Sequence, residues 1–130
     1  MRFLLDTYVW LWFFLRSDRL GSEVQDALTT ADSTVFFSSV SAVEIAIKWS
    51  MGKLPLPEPP ADFVRRRVAL AAHTQLPFTQ DHALALATLA WHHKDPFDRM
   101  LVAQALNEGL TLVTADSLVR QYDVPILWVA

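Results

Sequence analysis

The sequence predicts an α/β protein, a three-layer α/β/α sandwich around a small parallel sheet of four or five strands. Short apolar runs rich in β-branched and aromatic residues alternate with longer segments of helical periodicity. Strands separated by helices pair in parallel through right-handed crossovers. The chain has 130 residues, 52% hydrophobic and 19% charged, which suits one core and a single domain over residues 1–130.

The elements follow in order. Arg2 to Leu5 (RFLL) is a short apolar run closed by Asp6-Thr7 and reads as a buried strand. Thr7 to Arg16 reads as a helix that is apolar almost all round. Within Gly21 to Thr30, Ser22 is a cap, and Val24, Ala27 and Leu28 keep helical spacing. Thr34 to Phe37 (TVFF) is β-branched and aromatic, so a second strand is expected. Ser41 to Met51 forms a helix stopped near Gly52. Leu54 to Pro60 (LPLPEPP) is a proline-rich connector with too little chain on either side to separate domains. A helix from about Ala61 to Ala72, a short strand at Gln75 to Phe78 and a helix from Gln80 to Trp91 come next. Pro96 to Glu108 is helical, with Gly109 as its C-terminal stop. Leu110 to Val113 is a strand, Ser117 to Tyr122 a short helix and Val124 to Val129 a final strand. No internal repeat is visible.

The bulk numbers exclude several classes. With no cysteine, disulfides and thiolate metal sites are out, and a reducing cytoplasmic setting fits. A net charge of -3 means that the surface as a whole is no basic nucleic-acid footprint; a local patch would be needed. The apolar run Tyr8 to Leu15 is too short for a membrane span. Asp6 interrupts the approach to it and no small-residue cleavage site follows, so neither a signal peptide nor a membrane anchor is expected.

Four carboxylates invite a chemical reading, and each has an ordinary one beside it. Asp6 and Asp116 each follow a strand where a helix N-cap is wanted. Glu44 completes a capping box with Ser41 and precedes Lys48 by one turn, yet its neighbours are so apolar that partial burial follows. In His93-Lys94-Asp95-Pro96-Phe97-Asp98-Arg99-Met100, Asp95 is the N-cap and Pro96 the first helical residue. Asp98 then heads the stripe Leu101, Val102 and Ala105, which should face the sheet. In a parallel sheet these positions share one edge, outside the carboxyl ends of the strands. Four converging carboxylates repel, so a proton or a cation must offset them. Hard oxygen donors without Cys or paired His suit Mg²⁺ or Mn²⁺ better than zinc.

The segments LLDTYVWLW, SVSAVEIAIKWSMGKL, DPFDRMLVAQALNEGLTLVTAD and YDVPILW resemble the PIN-domain family, in particular the VapC-type toxins of bacterial toxin–antitoxin pairs. The resemblance runs over nearly the whole chain, although Lys53 to Leu89 agrees only in layout. It implies a Mg²⁺-dependent endoribonuclease whose four family acids match Asp6, Glu44, Asp98 and Asp116. It implies an ion held by Asp6 and Asp98, with Glu44 and Asp116 binding directly or through water, and in-line hydrolysis of RNA to a 5′-phosphate and a 3′-hydroxyl. Thr7 and Thr114 match hydroxyl positions that orient a carboxylate or a water. Arg99 is placed to contact phosphate or to pair with Asp95.

The resemblance also implies a homodimer and a cognate VapB-like antitoxin, whose arginine would enter the acidic site. The run Tyr8 to Phe14 is either core or a surface that such a partner covers. Arg65-Arg66-Arg67 is the one basic cluster, read as a solvated helix face or an RNA contact. His73, His82, His92 and His93 lack metal spacing and read as surface or packing residues. An aspartate-based phosphotransferase falls, because Asp6 has no acid two residues on and no lysine follows Lys94. A non-catalytic scaffold of the same fold is the other alternative, which loss of an acid would favour; all four are present.

Overall fold

The computed structural model describes residues 1–130. Five parallel strands, β1 (Arg2–Leu5), β2 (Thr34–Ser38), β3 (Thr74–Leu76), β4 (Thr111–Thr114) and β5 (Ile126–Trp128), form one sheet in the order β3-β2-β1-β4-β5. The predicted strands are all present. β1 is central, with Leu4 registered against Phe36 on one side and Leu112 on the other. Alternation then splits the core. Phe3, Leu5, Val35, Phe37 and Val113 face one layer, built from α1 (Thr7–Leu15), α2 (Ser22–Thr29), α3 (Ser39–Ser50) and α4 (Pro60–Leu70). Leu4 and Leu112 face the other, where Leu101, Val102 and Ala105 of α6 (Pro96–Glu108) pack and α5 (Gln80–Ala85) lies against α6. No helix is long and apolar enough to cross a membrane.

The nearly all-apolar α1 is mostly core. Val9, Trp10 and Leu11 are buried, and Trp10 packs on Phe14, Phe37 and Phe63. The indole N–H of Trp10 donates to Nδ1 of buried His73. Burial pushes the His73 pKa down to about 4, so the ring is a neutral packing residue at physiological pH.

Four elements differ from expectation. Ser22 is the first residue of α2 and not its cap, a place that Gly21 takes without a side-chain bond. α3 starts two residues early, because the Ser38 hydroxyl accepts from Val40 N–H and caps it. The capping box expected of Ser41 and Glu44 therefore does not form; Ser41 lies buried inside the helix. The helix expected to run to Trp91 stops at Ala85 and gives way to a 3-10 turn at Leu86–Thr88. The Arg99 guanidinium instead binds the Leu89 and Ala90 carbonyls and holds the non-helical chain in place. Ser117 to Tyr122 is reduced to a 3-10 turn at Val119–Gln121. α6 matches its expected ends: Asp95 accepts from Phe97 and Asp98 N–H, Pro96 takes the first position, and Gly109 closes it at φ +67°.

Candidate active site

The carboxyl ends of the central strands place the acids. β1 runs straight into Asp6, whose Oδ1 caps α1 by accepting from Val9 N–H at 2.9 Å. Its Oδ2 accepts from the Thr114 hydroxyl at 2.5 Å, at the end of neighbouring β4. The same Thr114 oxygen accepts from Asp116 N–H, so one hydroxyl ties together the first and last acids. Asp116 Oδ1 accepts from Leu118 N–H at 2.8 Å, which leaves Oδ2 to point inward. Glu44 enters from the second turn of α3, and Asp98 from the first turn of α6.

Asp6, Glu44, Asp98 and Asp116 thus line one cavity of about 320 Å³, with Tyr8 and Trp12 of α1 among its walls. A larger apolar cavity, about 860 Å³, lies between α3 and α4 and contains none of the four acids. Burial pushes the Asp6 pKa up to about 6, against the hydrogen bonds from Thr114 and Val9 and with help from Asp116 and Glu44. Burial also drives Asp98 up to about 7, reinforced by Asp95 and Asp6 and opposed by His93. Asp116 goes the other way: its desolvation is outweighed by the hydrogen bonds from His93 and Leu118, and it stays below the ordinary carboxylate value.

Glu44 is buried and asymmetric. Oε2 accepts from Lys48 Nζ at 2.5 Å, one turn along the helix, and Lys48 also reaches the Tyr8 hydroxyl. Oε1 is the one buried side-chain polar atom in the protein without a partner. An unpaired buried carboxylate oxygen is costly. Beside it stand two carboxyls held partly protonated near neutrality. Oxygen donors of this kind fit a hard divalent cation, which would satisfy Oε1 and return both carboxyls to their ionised state.

Other expected residues have different duties. Thr7 does not bond any of the acids; its hydroxyl donates to Ser41 at 2.9 Å and pins α1 to α3. Arg99 neither reaches the cavity nor pairs with Asp95. The Asp95 carboxylate is engaged by its helix N–H groups. Arg99 is 5% exposed, lies over the Trp91 ring and donates to Leu89 O, Ala90 O and the Tyr122 hydroxyl. Arg66 and Arg67 pair with Glu58. Sequence reasoning missed His93, which sits among the acids with Nε2 3.1 Å from Asp98 Oδ2 and 3.0 Å from Asp116 Oδ2. Its one signal was position, in the loop just before the Asp95 cap.

This sheet order, with its acids at the carboxyl edge, can be set beside known proteins. The PIN domain family model matches residues 3–125. The chain belongs to the PIN domain family. PIN domains are generally nucleases, and those nucleases typically use divalent metals. Among solved structures, DNA-bound VapBC from Salmonella typhimurium matches with a TM-score of 0.74 at 17% identity, covering 100% of this chain and 99% of that one. VapBC2 from Rickettsia felis, bound to a DNA fragment from its promoter, gives 0.72 at 14%, with 98% of each chain covered. FitAcB from Neisseria gonorrhoeae gives 0.64 at 20%, with 96% of each covered. These likenesses establish the PIN fold. No curated protein matches the sequence.

Proposed function

We propose that this PIN domain is a Mg²⁺-dependent endoribonuclease, the toxin of a VapBC-type toxin–antitoxin pair. One observation carries the reading: four acids from four separate elements share one cavity, where Glu44 Oε1 lacks a partner and burial raises Asp6 and Asp98. Asp6 and Asp98 would hold the ion, with Glu44 and Asp116 engaging it directly or through water; Mn²⁺ suits the same oxygens. When bound, the ion supplies activation of a water and charge neutralisation at the scissile phosphate. The protein's own groups do the rest. Thr114 and the α1 N-terminus fix Asp6, and Lys48 fixes one oxygen of Glu44. Tyr8 and Trp12 line the cavity beside the acids, each with a cation over its ring, Lys48 on Tyr8 and Arg19 on Trp12.

The toxin half of the proposal draws on the VapBC and FitAcB likenesses and on an uncovered apolar stripe. Val43, Ile47 and Met51, at successive turns of α3 and its end, are 49%, 44% and 56% exposed. A second copy or the antitoxin would cover them. The test is cleavage of an unstructured RNA with Mg²⁺, with EDTA, and by Asp6→Asn and Asp98→Asn. Cleavage that depends on the ion and on both acids is expected. Cleavage that survives chelation and both substitutions overturns the proposal.

A further inference from the structure

His93 brings a nitrogen to a site otherwise made of carboxylates. Its Nε2 and oxygens of Asp98 and Asp116 all lie within 4.8 Å of one another, so distance alone makes these three a seat for an ion. The far side of the ring decides otherwise. The backbone N–H of Asp95 donates to His93 Nδ1 at 3.1 Å. That bond occupies the Nδ1 lone pair, and a proton on Nδ1 would put donor against donor. The ring proton is therefore on Nε2, where it faces Asp98 Oδ2 and Asp116 Oδ2. A metal-ligating Nε2 needs its lone pair free and the proton on Nδ1, which is how ligating histidines are usually held. The loop around Asp95 forbids that arrangement.

We propose that His93 is a positioning residue of the metal site and not one of its ligands. Its Nε2–H bridges one oxygen each of Asp98 and Asp116 and leaves their other oxygens for the ion and for Leu118 N–H. This rests on the metal-nuclease reading above and deepens it.

The loop carrying His93 is itself anchored. His93 N–H donates to the Tyr122 hydroxyl at 3.1 Å, and that hydroxyl also accepts from Arg99 Nη1 at 3.1 Å. Arg99 holds the preceding Leu89 and Ala90 carbonyls with the same guanidinium. Asp95 thus has two duties: its carboxylate starts α6 and aims Asp98, while its N–H fixes the tautomer of the ring that steadies Asp98 and Asp116.

The test reads the ring and the ion separately from RNA cleavage. Long-range ¹H–¹⁵N spectra of the protein, without metal and saturated with Mg²⁺, should show the Nε2–H tautomer of His93 in both states. Electron spin-echo spectra with Mn²⁺ should show no directly bound ¹⁴N. Calorimetric titration with MnCl₂ should find binding weakened about 10- to 100-fold in His93→Ala, the range for lost outer-shell partners. His93→Gln, which keeps an N–H at similar reach, should recover most of that loss. An Nδ1–H tautomer in the Mg²⁺ form, or ¹⁴N coupling to Mn²⁺, would make His93 a ligand and overturn the proposal. Unchanged Mn²⁺ affinity in His93→Ala would overturn it too, while leaving the metal-nuclease reading intact. A wild-type protein that takes up neither ion would remove that reading and the role of His93 with it. If His93→Ala fails to fold, the wild-type spectra alone decide between donor and ligand.

Discussion

Asp98→Asn should stabilise the cation-free protein, and the effect should depend on pH. Burial and neighbouring acids carry the Asp98 carboxyl from 3.8 to about 7. A carboxyl raised in the fold binds its proton more tightly there than in the unfolded chain. Its contribution to stability is fully present below about pH 4 and is lost as pH rises through about 7. A displacement of that size places up to about 4 kcal/mol on the ionised, cation-free fold. The side chain keeps 19% of its exposure, and part of the displacement comes from neighbouring Asp95 and Asp6, so about 2–3 kcal/mol is the expected share. Asparagine is neutral, nearly the same size, and keeps an oxygen that can accept from His93 Nε2–H. In urea unfolding with EDTA, Asp98→Asn should exceed wild type by that amount at pH 8 and match it near pH 4. With millimolar Mn²⁺ at pH 8 the order should reverse, because only wild type gains binding energy in the folded state. A variant less stable than wild type at pH 8 without metal would refute the reasoning, as would a gap that does not change with pH.

Three further outcomes are expected. Lys48→Met should destabilise by about 3 kcal/mol or more in urea unfolding at pH 7, because it leaves the Glu44 charge buried and unpaired, whereas Glu44→Gln should cost about 1 kcal/mol, because Lys48 is 28% exposed and can reach water; equal losses would contradict this asymmetry. Thr114→Val keeps the shape of the side chain but removes the donor to Asp6, so the Asp6 carboxyl should titrate above its present value of about 6 and Mn²⁺ affinity at pH 7 should fall about tenfold, read by calorimetry. Arg99→Met should cost about 2–3 kcal/mol by freeing the Leu89 and Ala90 carbonyls and the Tyr122 hydroxyl, and hydrogen exchange should accelerate over residues 89–95; exchange confined to α6 instead would disprove the anchoring.

The parts of the site that were legible in the sequence follow from periodicity and from elements that end abruptly. Asp6 comes directly after RFLL, Asp116 comes shortly after TLVT, and Asp98 heads an apolar stripe, so backbone alone aims them at one edge. Glu44 was legible because a carboxylate among Ile45 and other apolar residues is conspicuous, although the capping box that also suggested it does not exist. What stayed hidden lies in long-range contacts of irregular chain. Nothing in HKDPFDRM shows that a backbone N–H will select one nitrogen of His93. Nothing in DRM shows that the arginine turns away from the acids to hold two carbonyls nine and ten residues back. Thr7 adjoins Asp6 in sequence, but its hydroxyl is claimed by α3. The helix end near Trp91 was misjudged because long-range contacts from Arg99 to the Leu89 and Ala90 carbonyls hold an irregular segment there.

The bond from Thr114 to Asp6 spans 108 residues. Until β4 pairs with β1 during folding, the first acid has no hydroxyl to hold it. Asp98, Thr114 and Asp116 all lie far along the chain from Asp6. Until the sheet closes there is no assembled cavity, and the chemistry proposed for it has no site. Assembly of the acids is thus tied to the long-range pairing of β1 with β4 and not to any local segment.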